Sequence, residues 1–368
     1  MAKYYDVENL IKKVPDAYYY VIFGLRSNGK TYANLKRGIK KRLEDGSDMA
    51  YIRRYKEDLK GKNGANIFSA LVKNGEIQKL SKGKWNGIYY YSQRWYFTWT
   101  NPENPKDKIV DENPFCYGFA LTDMEHDKST SYPSIKTIIF DEFITRSMYL
   151  PNEFVTFQNV LSTIIRQRDD VKIFMLGNTI NQYCPYFKEM GLTKVMKMDV
   201  GTIDVYEYGT SGLKVAVEYS SGNKNGKPSD VYFAFNNPKL KMITSGAWEI
   251  AVYPHLPVKY APKDVIYHYF IIFEESTLMC EIIKVDDNCF TFIHPKTTPI
   301  KDGDDSIVYH PIANPKPNYR RRITKPMTKV DEKIAWFFKH EKVFYANNET
   351  GEVVRNYLNW CKVATMED

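Results

Sequence analysis

The sequence lacks the features that mark secreted, zinc-binding and membrane-spanning proteins. Its 368 residues include only five cysteines and six scattered histidines, with no Cys-x-x-Cys pair. An odd number of cysteines is typical of reduced thiols in a cytosol, and the histidine spacing favours no zinc site. No apolar run approaches the roughly 20 residues that cross a bilayer, and the amino terminus has no apolar signal-peptide core. We therefore expect a cytoplasmic protein without a membrane partner.

The composition is that of an ordinary globular protein with a mild positive charge. Hydrophobic residues make up 43% and charged residues 26%, which excludes wholesale disorder. The formal net charge is +8, and the basic excess is concentrated between Arg26 and Lys62. This balance favours a polyanionic partner, but only mildly. A chain of this length has room for two or three domains, each with its own core.

The segment Gly24–Thr31 matches the P-loop pattern G-x-x-x-x-G-K-[ST] at every defined position. Apolar patterning predicts a strand before it, Tyr18–Phe23, and a helix after it, Tyr32–Leu43. In that setting the glycines let successive amides face phosphate oxygens, and the helix N-terminus adds its dipole. Lys30 is expected to reach the β- and γ-phosphates, and the Thr31 hydroxyl to ligate Mg²⁺. The other interpretation is a glycine turn that caps a helix.

Polar side chains after neighbouring strands extend this predicted nucleotide site. Asn178 follows the strand-like run Lys172–Leu176, where its amide can touch the γ-phosphate or the lytic water; the alternative is a simple Asn turn. The predicted nucleotide-binding residues are Gly24, Leu25, Arg26, Ser27, Asn28, Gly29, Lys30, Thr31, Tyr32 and Asn178.

The run Ile138–Phe140 is an apolar strand that ends in two carboxylates, Asp141 and Glu142. This is the form of a Walker B segment, in which Asp141 holds Mg²⁺ and Glu142 polarises the attacking water. Such general-base assistance is typically worth about 10²–10⁴ in rate. The pair favours hydrolysis over phosphoryl transfer to a small acceptor, and the alternative is a surface strand end with two solvated acids.

Four strand-like runs before residue 180 predict an α/β fold with a central, mostly parallel sheet. The four runs are Tyr18–Phe23, Met49–Arg53, Thr137–Phe140, which includes the run before Asp141, and Lys172–Leu176. A helix is predicted at Glu153–Arg166. The strand Met49–Arg53 falls between the two motifs along the chain, which indicates the additional-strand, catalytic-glutamate (ASCE) class of P-loop ATPase. A long insert, about 57–130, is irregular apart from a hairpin and suggests a functional elaboration.

Two basic clusters have both a functional and a structural interpretation. Arg166 and Arg168 close the predicted helix and are expected at the rim of the nucleotide site, within reach of a ring neighbour. An arginine supplied in trans is worth roughly 10³–10⁵ in turnover, whereas a basic helix C-terminus is also favoured by the macrodipole. Arg53, Arg54 and Lys56 lie in the segment Tyr51–Lys56 that ends the second strand, where we expect them to sense nucleotide or to grip DNA phosphates. The alternative is a plain strand-end charge cluster.

Beyond about residue 200 the predicted elements change from alternating strands and helices to a hairpin and a meander. Strands are predicted at Thr202–Tyr208 and Leu213–Tyr219, then, after a flexible stretch, a three-strand meander from Val265 to Ile293. A Pro- and Asp-rich loop, Thr297–Pro326, and two terminal helices, Val330–His340 and Gly351–Lys362, complete the chain. We expect an ATPase domain at 1–205, a linker at 206–253 and a small α+β domain at 254–368.

Several motifs, in this order and spacing, resemble one family across about residues 18–180. They are Gly24–Thr31, Tyr51–Lys56, Lys128-Ser129 with Tyr132-Pro133, Ile138–Ile144, Pro151-Asn152-Glu153, and Arg166-x-Arg168. Together they resemble the terminase-like DNA-packaging (encapsidation) ATPases of small, short-tailed, protein-primed bacteriophages.

The resemblance implies a molecular motor: a homo-oligomeric, pentameric ring docked on the portal of an empty procapsid in the host cytoplasm. It would drive double-stranded DNA inward with ATP. Carried over by position, Lys30, Thr31 and Asp141 would hold Mg-ATP, Glu142 and Lys30 would be catalytic, and Arg166 would reach the neighbouring subunit's site. Lys56 matches a basic position at the central pore. Whether a packaging RNA lies between motor and portal is left open.

The resemblance also implies a ribonuclease-H-like C-terminal domain. A working nuclease of that fold needs an acid within its first strand, and Val265–Phe273 has none before Glu274. We therefore expect a degenerate docking or nucleic-acid-binding domain without cleavage. The competing functional hypotheses are a helicase-like or conjugative DNA pump of the same class, and a nucleotide-gated portal adaptor with little turnover.

Overall fold

The computed structural model describes residues 5–26, 28–126, 130–145, 149–150, 152–179, 184–221, 253–256, 258–273 and 276–363. The chain divides into two compact units, Met1–Glu249 and Ile250–Asp368. Some residues named above lie outside the described ranges, namely Ser27, Lys128, Ser129, Pro151, Glu274 and most of the expected linker, 222–252.

The helices and strands of the first unit follow one another in a mixed α/β order. The helices are α1 Val7–Lys13, α2 Lys30–Asp45, α3 Gly61–Asn66, α4 Ser69–Lys73, α5 Glu76–Leu80, α6 Glu153–Ile165 and α7 Pro185–Glu189. The strands are β1 Tyr19–Gly24, β2 Asp48–Arg53, β3 Gly87–Tyr91, β4 Arg94–Thr100, β5 Lys108–Val110, β6 Cys116–Ala120, β7 Ile135–Asp141, β8 Lys172–Leu176, β9 Ile203–Tyr208 and β10 Leu213–Ser220.

These strands form one ten-stranded sheet in the order β3-β4-β6-β2-β7-β8-β1-β10-β9, with β5 paired to β4. The six central strands, β6-β2-β7-β8-β1-β10, run parallel to one another. Antiparallel strands extend the sheet at both edges. The sequence prediction of a central, mostly parallel sheet is confirmed.

Alternate residues of the central strands face two separate apolar cores. On β1, Val21 and Phe23 pack in one cluster with residues of α6 and α7. Tyr20 and Ile22 pack in the other, with residues of α1 and α2. Because parallel strands are buried on both faces, their sequences are nearly continuous apolar runs, as they are in this chain.

The strand that lies between the two motif strands in space is β8. It pairs with β1 on one side and β7 on the other, whereas β2 lies on the far side of β7. Met49–Arg53 separates the motifs only along the chain, so the additional strand is the one that ends before Asn178. This sheet order is consistent with the ASCE class.

The insert expected to be mostly irregular is an ordered part of the same unit. Its three short helices, α3 to α5, and its strands pack onto the sheet through β6, which pairs in parallel with β2. Trp95 is fully buried there, and its indole nitrogen donates to the Gly64 carbonyl over 2.9 Å. Each helix is six residues or fewer, too short to leave a periodic signal.

The predicted hairpin after residue 200 is confirmed as β9–β10, but it belongs to the sheet of the first unit. Tyr19 to Gly24 of β1 pair in parallel with Val215 to Ser220 of β10. The domain boundary expected at 205 therefore falls inside a hairpin of this sheet, and the first compact unit continues to Glu249.

The second unit contains a six-stranded sheet and two helices among its described residues. Its strands are β11 Val265–Phe273, β12 Ser276–Val285, β13 Asn288–Pro295, β14 Val308–Tyr309, β15 Tyr319–Arg320 and β16 Val343–Tyr345; its helices are α8 Lys329–Lys339 and α9 Asn348–Val363. The order is β15-β14-β11-β12-β13-β16, with an antiparallel β11–β12–β13 meander.

The predicted meander and terminal helices of this unit are confirmed, and the predicted loop Thr297–Pro326 is corrected. It contributes β14 and β15, which extend the sheet in parallel beside β11. Two-residue strands carry no alternation that a sequence could reveal. No described helix combines the length and apolarity that crossing a bilayer requires.

Candidate nucleotide site

The two predicted motifs meet at the carboxyl edge of the central sheet. Asp141 of β7 pairs in register with Leu176 of β8, and Leu176 pairs with Ile22 of β1. Two strand spacings of roughly 4.8 Å separate Asp141 from the strand that enters the loop. Since parallel strands end at one edge, the loop after β1 and the acids after β7 face the same space.

The loop keeps a backbone that only glycine adopts without strain at two points. Gly24 has φ 143°, and a Cβ there would lie 2.6 Å from the Ser220 carbonyl oxygen. Gly29 has φ 92° and caps the N-terminus of α2 in the left-handed region. The glycines therefore form the turn and allow the close approach of β10 that the motif requires.

The Lys30 side chain is buried inside the loop, with only 6% of the residue exposed. Its ammonium donates to the Leu25 carbonyl over 2.7 Å, to Asn28 Oδ1 over 3.2 Å and to Asn178 Oδ1 over 3.3 Å. Burial lowers the pKa of Lys30 to about 8, although the Asp141 and Glu218 carboxylates oppose the shift. Neutral oxygens hold this cation where phosphate oxygens would bind it more strongly.

Thr31 and Asp141 form a contact between the two motifs. The Thr31 hydroxyl donates to Asp141 Oδ1 over 3.1 Å, and Tyr51 donates its hydroxyl to Asp141 Oδ2 over 2.7 Å. Arg53 Nη1 lies 3.6 Å from the same Oδ2 atom. The carboxylate is thus oriented by three side chains from α2 and β2, with one oxygen beside the hydroxyl expected to share its metal.

Glu142 has a backbone and a side chain suited to a role at this edge. It is one of the few non-glycine residues with positive φ, 60°, a conformation that costs of order 1–2 kcal/mol. Its carboxylate is 59% exposed and accepts from Arg53 Nη2 over 2.8 Å. Glu142 therefore combines a strained backbone with a carboxylate that is mostly exposed to solvent.

Arg54 is buried and bonds the backbone of the turn that contains Glu142, so it is not available to DNA. Its guanidinium donates to both oxygens of Glu153 over 2.7 and 2.8 Å, and to the backbone carbonyls of Glu142 and Phe143 over 3.1 and 2.9 Å. Arg54 and Glu153 are 5% and 2% exposed. This burial corrects the prediction that Arg54 grips a DNA phosphate.

Asn178 follows β8 and lies between the two motifs, as its position in the additional strand requires. Its Oδ1 accepts from Lys30 Nζ. The segment after β8 is joined by backbone bonds to β1 and to the start of the loop, from Gly177 N to the Ile22 carbonyl over 2.9 Å and from Thr179 N to the Gly24 carbonyl over 3.3 Å. The Asn178 amide is therefore coupled to the position of the loop through these bonds.

Arg166 lies at the opposite edge of the sheet, which corrects its expected position at the rim of its own chain's site. It follows α6, whose 13 residues span about 20 Å. Its Nη2 donates to the Thr130 carbonyl over 3.1 Å, and its side chain is exposed. Arg168 fixes this end, since it donates to the Ile135 carbonyl at the start of β7 over 2.8 Å.

Lys56 and Arg26 are, besides Arg166, predicted cations that solvent reaches. Lys56 is half-buried and forms an ion pair with Asp123. Arg26 is exposed within the loop. Tyr32, in the first turn of α2, donates its hydroxyl to Glu76 over 3.4 Å.

Sequence reasoning missed the residues that brace the loop from β10 and the amino terminus. Asn28 Nδ2 donates to Ser220 Oγ over 3.0 Å, and Ser220 Oγ donates to the Phe23 carbonyl over 3.0 Å. Tyr5 donates its hydroxyl to Glu218, and burial raises the pKa of that carboxyl. These contacts join residues about two hundred positions apart, so only the β1–β10 pairing reveals them.

The donor set fits Mg²⁺ with a triphosphate. Mg²⁺ prefers hard oxygen ligands and is usually held by one or two protein groups together with phosphates and waters. The Thr31 hydroxyl and the Asp141 carboxylate are such groups, already 3.1 Å apart. Within the described ranges no three acidic, histidine or cysteine side chains gather as an all-protein metal site.

The fold and this edge of the sheet are those of a P-loop NTPase with an additional central strand. The sequence model of the Podovirus DNA encapsidation protein (Gp16) family matches residues 1–227. The chain belongs to this family.

Curated relatives match somewhat less than half of the chain. The DNA packaging protein of Bacillus phage B103 is 31% identical over 175 residues, which cover 46% of this chain and 47% of that protein. The DNA packaging protein of Bacillus phage phi29 is 29% identical over 170 residues, 45% and 44% of the two chains. The chain thus spans about half the length of the curated relatives it matches.

Solved structures resemble the chain over nearly its whole length. The phi-28 gp11 DNA packaging motor has a TM-score of 0.53 at 17% identity and covers 98% of this chain and 99% of its own. The bacteriophage phi-29 viral genome packaging motor assembly has a TM-score of 0.53 at 19% identity, with 96% of each chain covered. At 17% and 19% identity, this structural similarity shows a shared fold and nothing more.

Proposed function

We propose that this protein is the ATP-hydrolysing motor that moves double-stranded viral DNA into a preformed procapsid. The observation that carries the proposal is the meeting of Lys30 and Thr31 with Asp141 and Glu142 at one sheet edge. Family membership and the names of the phage relatives support the choice of DNA packaging among the tasks of P-loop ATPases.

In this proposal each side chain has a distinct role with Mg-ATP. Bound Mg²⁺ would neutralise charge on the β- and γ-phosphates. Lys30 would exchange its carbonyl partners for phosphate oxygens, and Thr31 and Asp141 would hold the metal. Asn178, which contacts Lys30, would also contact the γ-phosphate and so link it to the loop.

Glu142 would be the general base that takes a proton from the attacking water. Its exposed carboxylate and its strained backbone, held by Arg54 through the Glu142 carbonyl, support this role. The Arg53 guanidinium, which contacts both Glu142 and Asp141, would keep the base oriented until a water is in place.

Hydrolysis would be completed by an arginine from a neighbouring subunit of a ring. Arg166 lies an α6 length away from its own Asp141, so it has no access to the nucleotide of its own chain. Exposed and held at a fixed helix end, it is suited to enter the site of the next subunit. Ring assembly, most simply as the pentamer that the family resemblance implies, follows from this requirement.

DNA would be gripped through phosphates by basic residues that solvent reaches, with Lys56 as the first candidate. Its ion pair with Asp123 is exposed enough to exchange for a phosphate. Binding of this kind depends on salt and largely ignores sequence.

The second unit would be a ribonuclease-H-like domain that docks without cutting, connected through a linker that includes 222–252. An antiparallel meander with parallel strands beside its first strand supports this assignment. The first strand, β11, carries His268 and no carboxylate at its centre. The portal of the procapsid at its vertex in the host cytoplasm is the expected partner, and a packaging RNA is a second one.

A titration of ATPase activity with duplex DNA, with and without procapsids, tests the proposal. Stimulation by duplex DNA that rises further with procapsids is expected. Strand unwinding without portal binding would favour a helicase-like pump, and absence of turnover under all conditions would favour a nucleotide-gated adaptor.

A further inference from the structure

The two oxygens of the Asp141 carboxylate have different partners. Oδ1 accepts from the Thr31 hydroxyl over 3.1 Å, on the side where the metal is expected. Oδ2 accepts from the Tyr51 hydroxyl over 2.7 Å, and Arg53 Nη1 lies 3.6 Å from it. The Tyr51 bond has the usual length of an O–H···O hydrogen bond, whereas the Thr31 bond is longer. Oδ2 is therefore the occupied oxygen of this carboxylate, and Oδ1 is the available one.

Packing fixes the Tyr51 hydroxyl in this position. Tyr51 is 3% exposed and pairs on β2 with Ile139 of β7, two residues before Asp141. Its ring packs in the apolar core on the α2 side of the sheet, with the Trp95 ring edge-on at 6.4 Å. Trp95 is itself held by its bond to the Gly64 carbonyl. Because the ring makes these contacts, the core alone keeps the hydroxyl at Asp141.

A carboxylate with one oxygen occupied suits Mg²⁺ better than Ca²⁺. Mg²⁺ demands near-ideal octahedral geometry, which the narrow bite of a bidentate carboxylate fits poorly. Ca²⁺ is larger, takes about 6–8 oxygens in flexible geometry and often uses both oxygens of a carboxylate. Since the Tyr51 hydroxyl bonds Oδ2, Asp141 offers Oδ1 alone to a metal beside Thr31.

We propose that Tyr51 sets the metal specificity of the nucleotide site: by keeping Asp141 Oδ2 occupied, it makes the site prefer Mg²⁺ to Ca²⁺. Tyr51 acts through Asp141 and is therefore a positioning residue. Removal of a side chain that hydrogen-bonds a metal ligand typically changes metal affinity about 10–100-fold. The inference rests on the proposed nucleotide site and adds its choice of metal.

The test titrates Mg²⁺ and, separately, Ca²⁺ into the full chain in the presence of a non-hydrolysable ATP analogue and measures binding of the analogue. Tyr51→Phe keeps the packed ring and removes the hydroxyl. The preference of this variant for Mg²⁺ over Ca²⁺ is expected to fall about 10-fold. Binding of the analogue without a metal should not change, because Lys30 and the loop keep their partners.

Tyr20→Phe is the matched control for this substitution. Tyr20 is fully buried in the same core, on β1, and its hydroxyl donates to the Val14 carbonyl over 2.7 Å. The control removes the same kind of buried hydrogen bond without touching the carboxylate of Asp141. Its preference for Mg²⁺ over Ca²⁺ should equal that of the unaltered chain.

The outcomes separate failure of this inference from failure of the nucleotide site. An unchanged metal preference in Tyr51→Phe would overturn the inference. An equal change in Tyr20→Phe would also overturn it, because the effect would then come from any lost buried bond. If the unaltered chain bound the analogue with neither metal, the proposed function itself would fail.

Discussion

The Thr31 hydroxyl donates to Asp141 Oδ1 over 3.1 Å, so two motifs far apart in sequence touch in the protein alone. The contact depends on the order of the sheet, in which β8 separates β1 from β7. A hydroxyl and a carboxylate held together by the fold form a metal site before the metal arrives, which lowers the cost of ordering it on binding.

Replacing Glu142 with Gln should preserve ATP binding and lower hydrolysis by at least about 10², because the amide cannot take a proton from water. Steady-state ATPase assays with a parallel measurement of nucleotide affinity check this. Glu57→Gln, an exposed carboxylate of the same unit, is the matched control. Retained turnover would remove Glu142 from the mechanism.

For Arg166→Ala we expect unchanged nucleotide affinity and turnover reduced by about 10³ or more, because transition-state charge loses its partner. Subunits with Lys30→Ala are expected to be inactive themselves, but they still carry Arg166. Mixing the two variants should restore part of the activity, and Arg94→Ala, an exposed arginine of β4, should behave normally. No recovery in mixtures would argue against action between subunits.

Arg54→Met should destabilise the first unit by about 3–5 kcal/mol, because it leaves the Glu153 carboxylate buried without its ion-pair partner. Denaturant unfolding measures this, with Lys60→Met as an exposed control. The double variant with Glu153→Gln should recover part of the loss. A stable Arg54→Met protein with weakened, less salt-sensitive DNA binding would reinstate Arg54 as a DNA contact.

Lys30 should make the stability of the nucleotide-free protein depend on pH. Its pKa is about 8 in the fold against an ordinary 10.5, so the unfolded chain keeps the proton to higher pH. Folding is therefore penalised below pH 8 and gains about 1.4 kcal/mol per pH unit from 8 to 10.5. Comparison with Lys30→Met across this window isolates the effect, and parallel pH profiles would contradict it.

Plasmid DNA incubated with the protein and Mg²⁺ or Mn²⁺ should stay intact, because β11 offers no carboxylate to bind a catalytic metal. Agarose gels resolve nicked from supercoiled forms. Asp304, which contacts His268 of β11 over 3.3 Å, is an acid to test. Nicking that disappears with Asp304→Asn would establish a nuclease in this unit.

Sequence reasoning succeeded where the pattern is local and long. The P-loop, its flanking strand and helix, and the strand ending in Asp141 need only neighbours along the chain, so their existence could be predicted. The burial of Arg54 and the distance of Arg166 from the site could not, because each depends on how α6 crosses the sheet. The bond from Tyr51 to Asp141, and the contacts of Arg53 with Asp141 and Glu142, likewise became evident only when β2 was paired with β7.

The most direct measurement is a structure of the protein with Mg²⁺ and a non-hydrolysable ATP analogue. Lys30 Nζ should leave the Leu25 carbonyl and lie about 3 Å from oxygens of the terminal phosphate. Thr31 Oγ1 should lie about 2.1 Å from the metal, with Asp141 beside it and Glu142 facing the terminal phosphate. A terminal phosphate bound away from Asp141 and Glu142 would contradict the account.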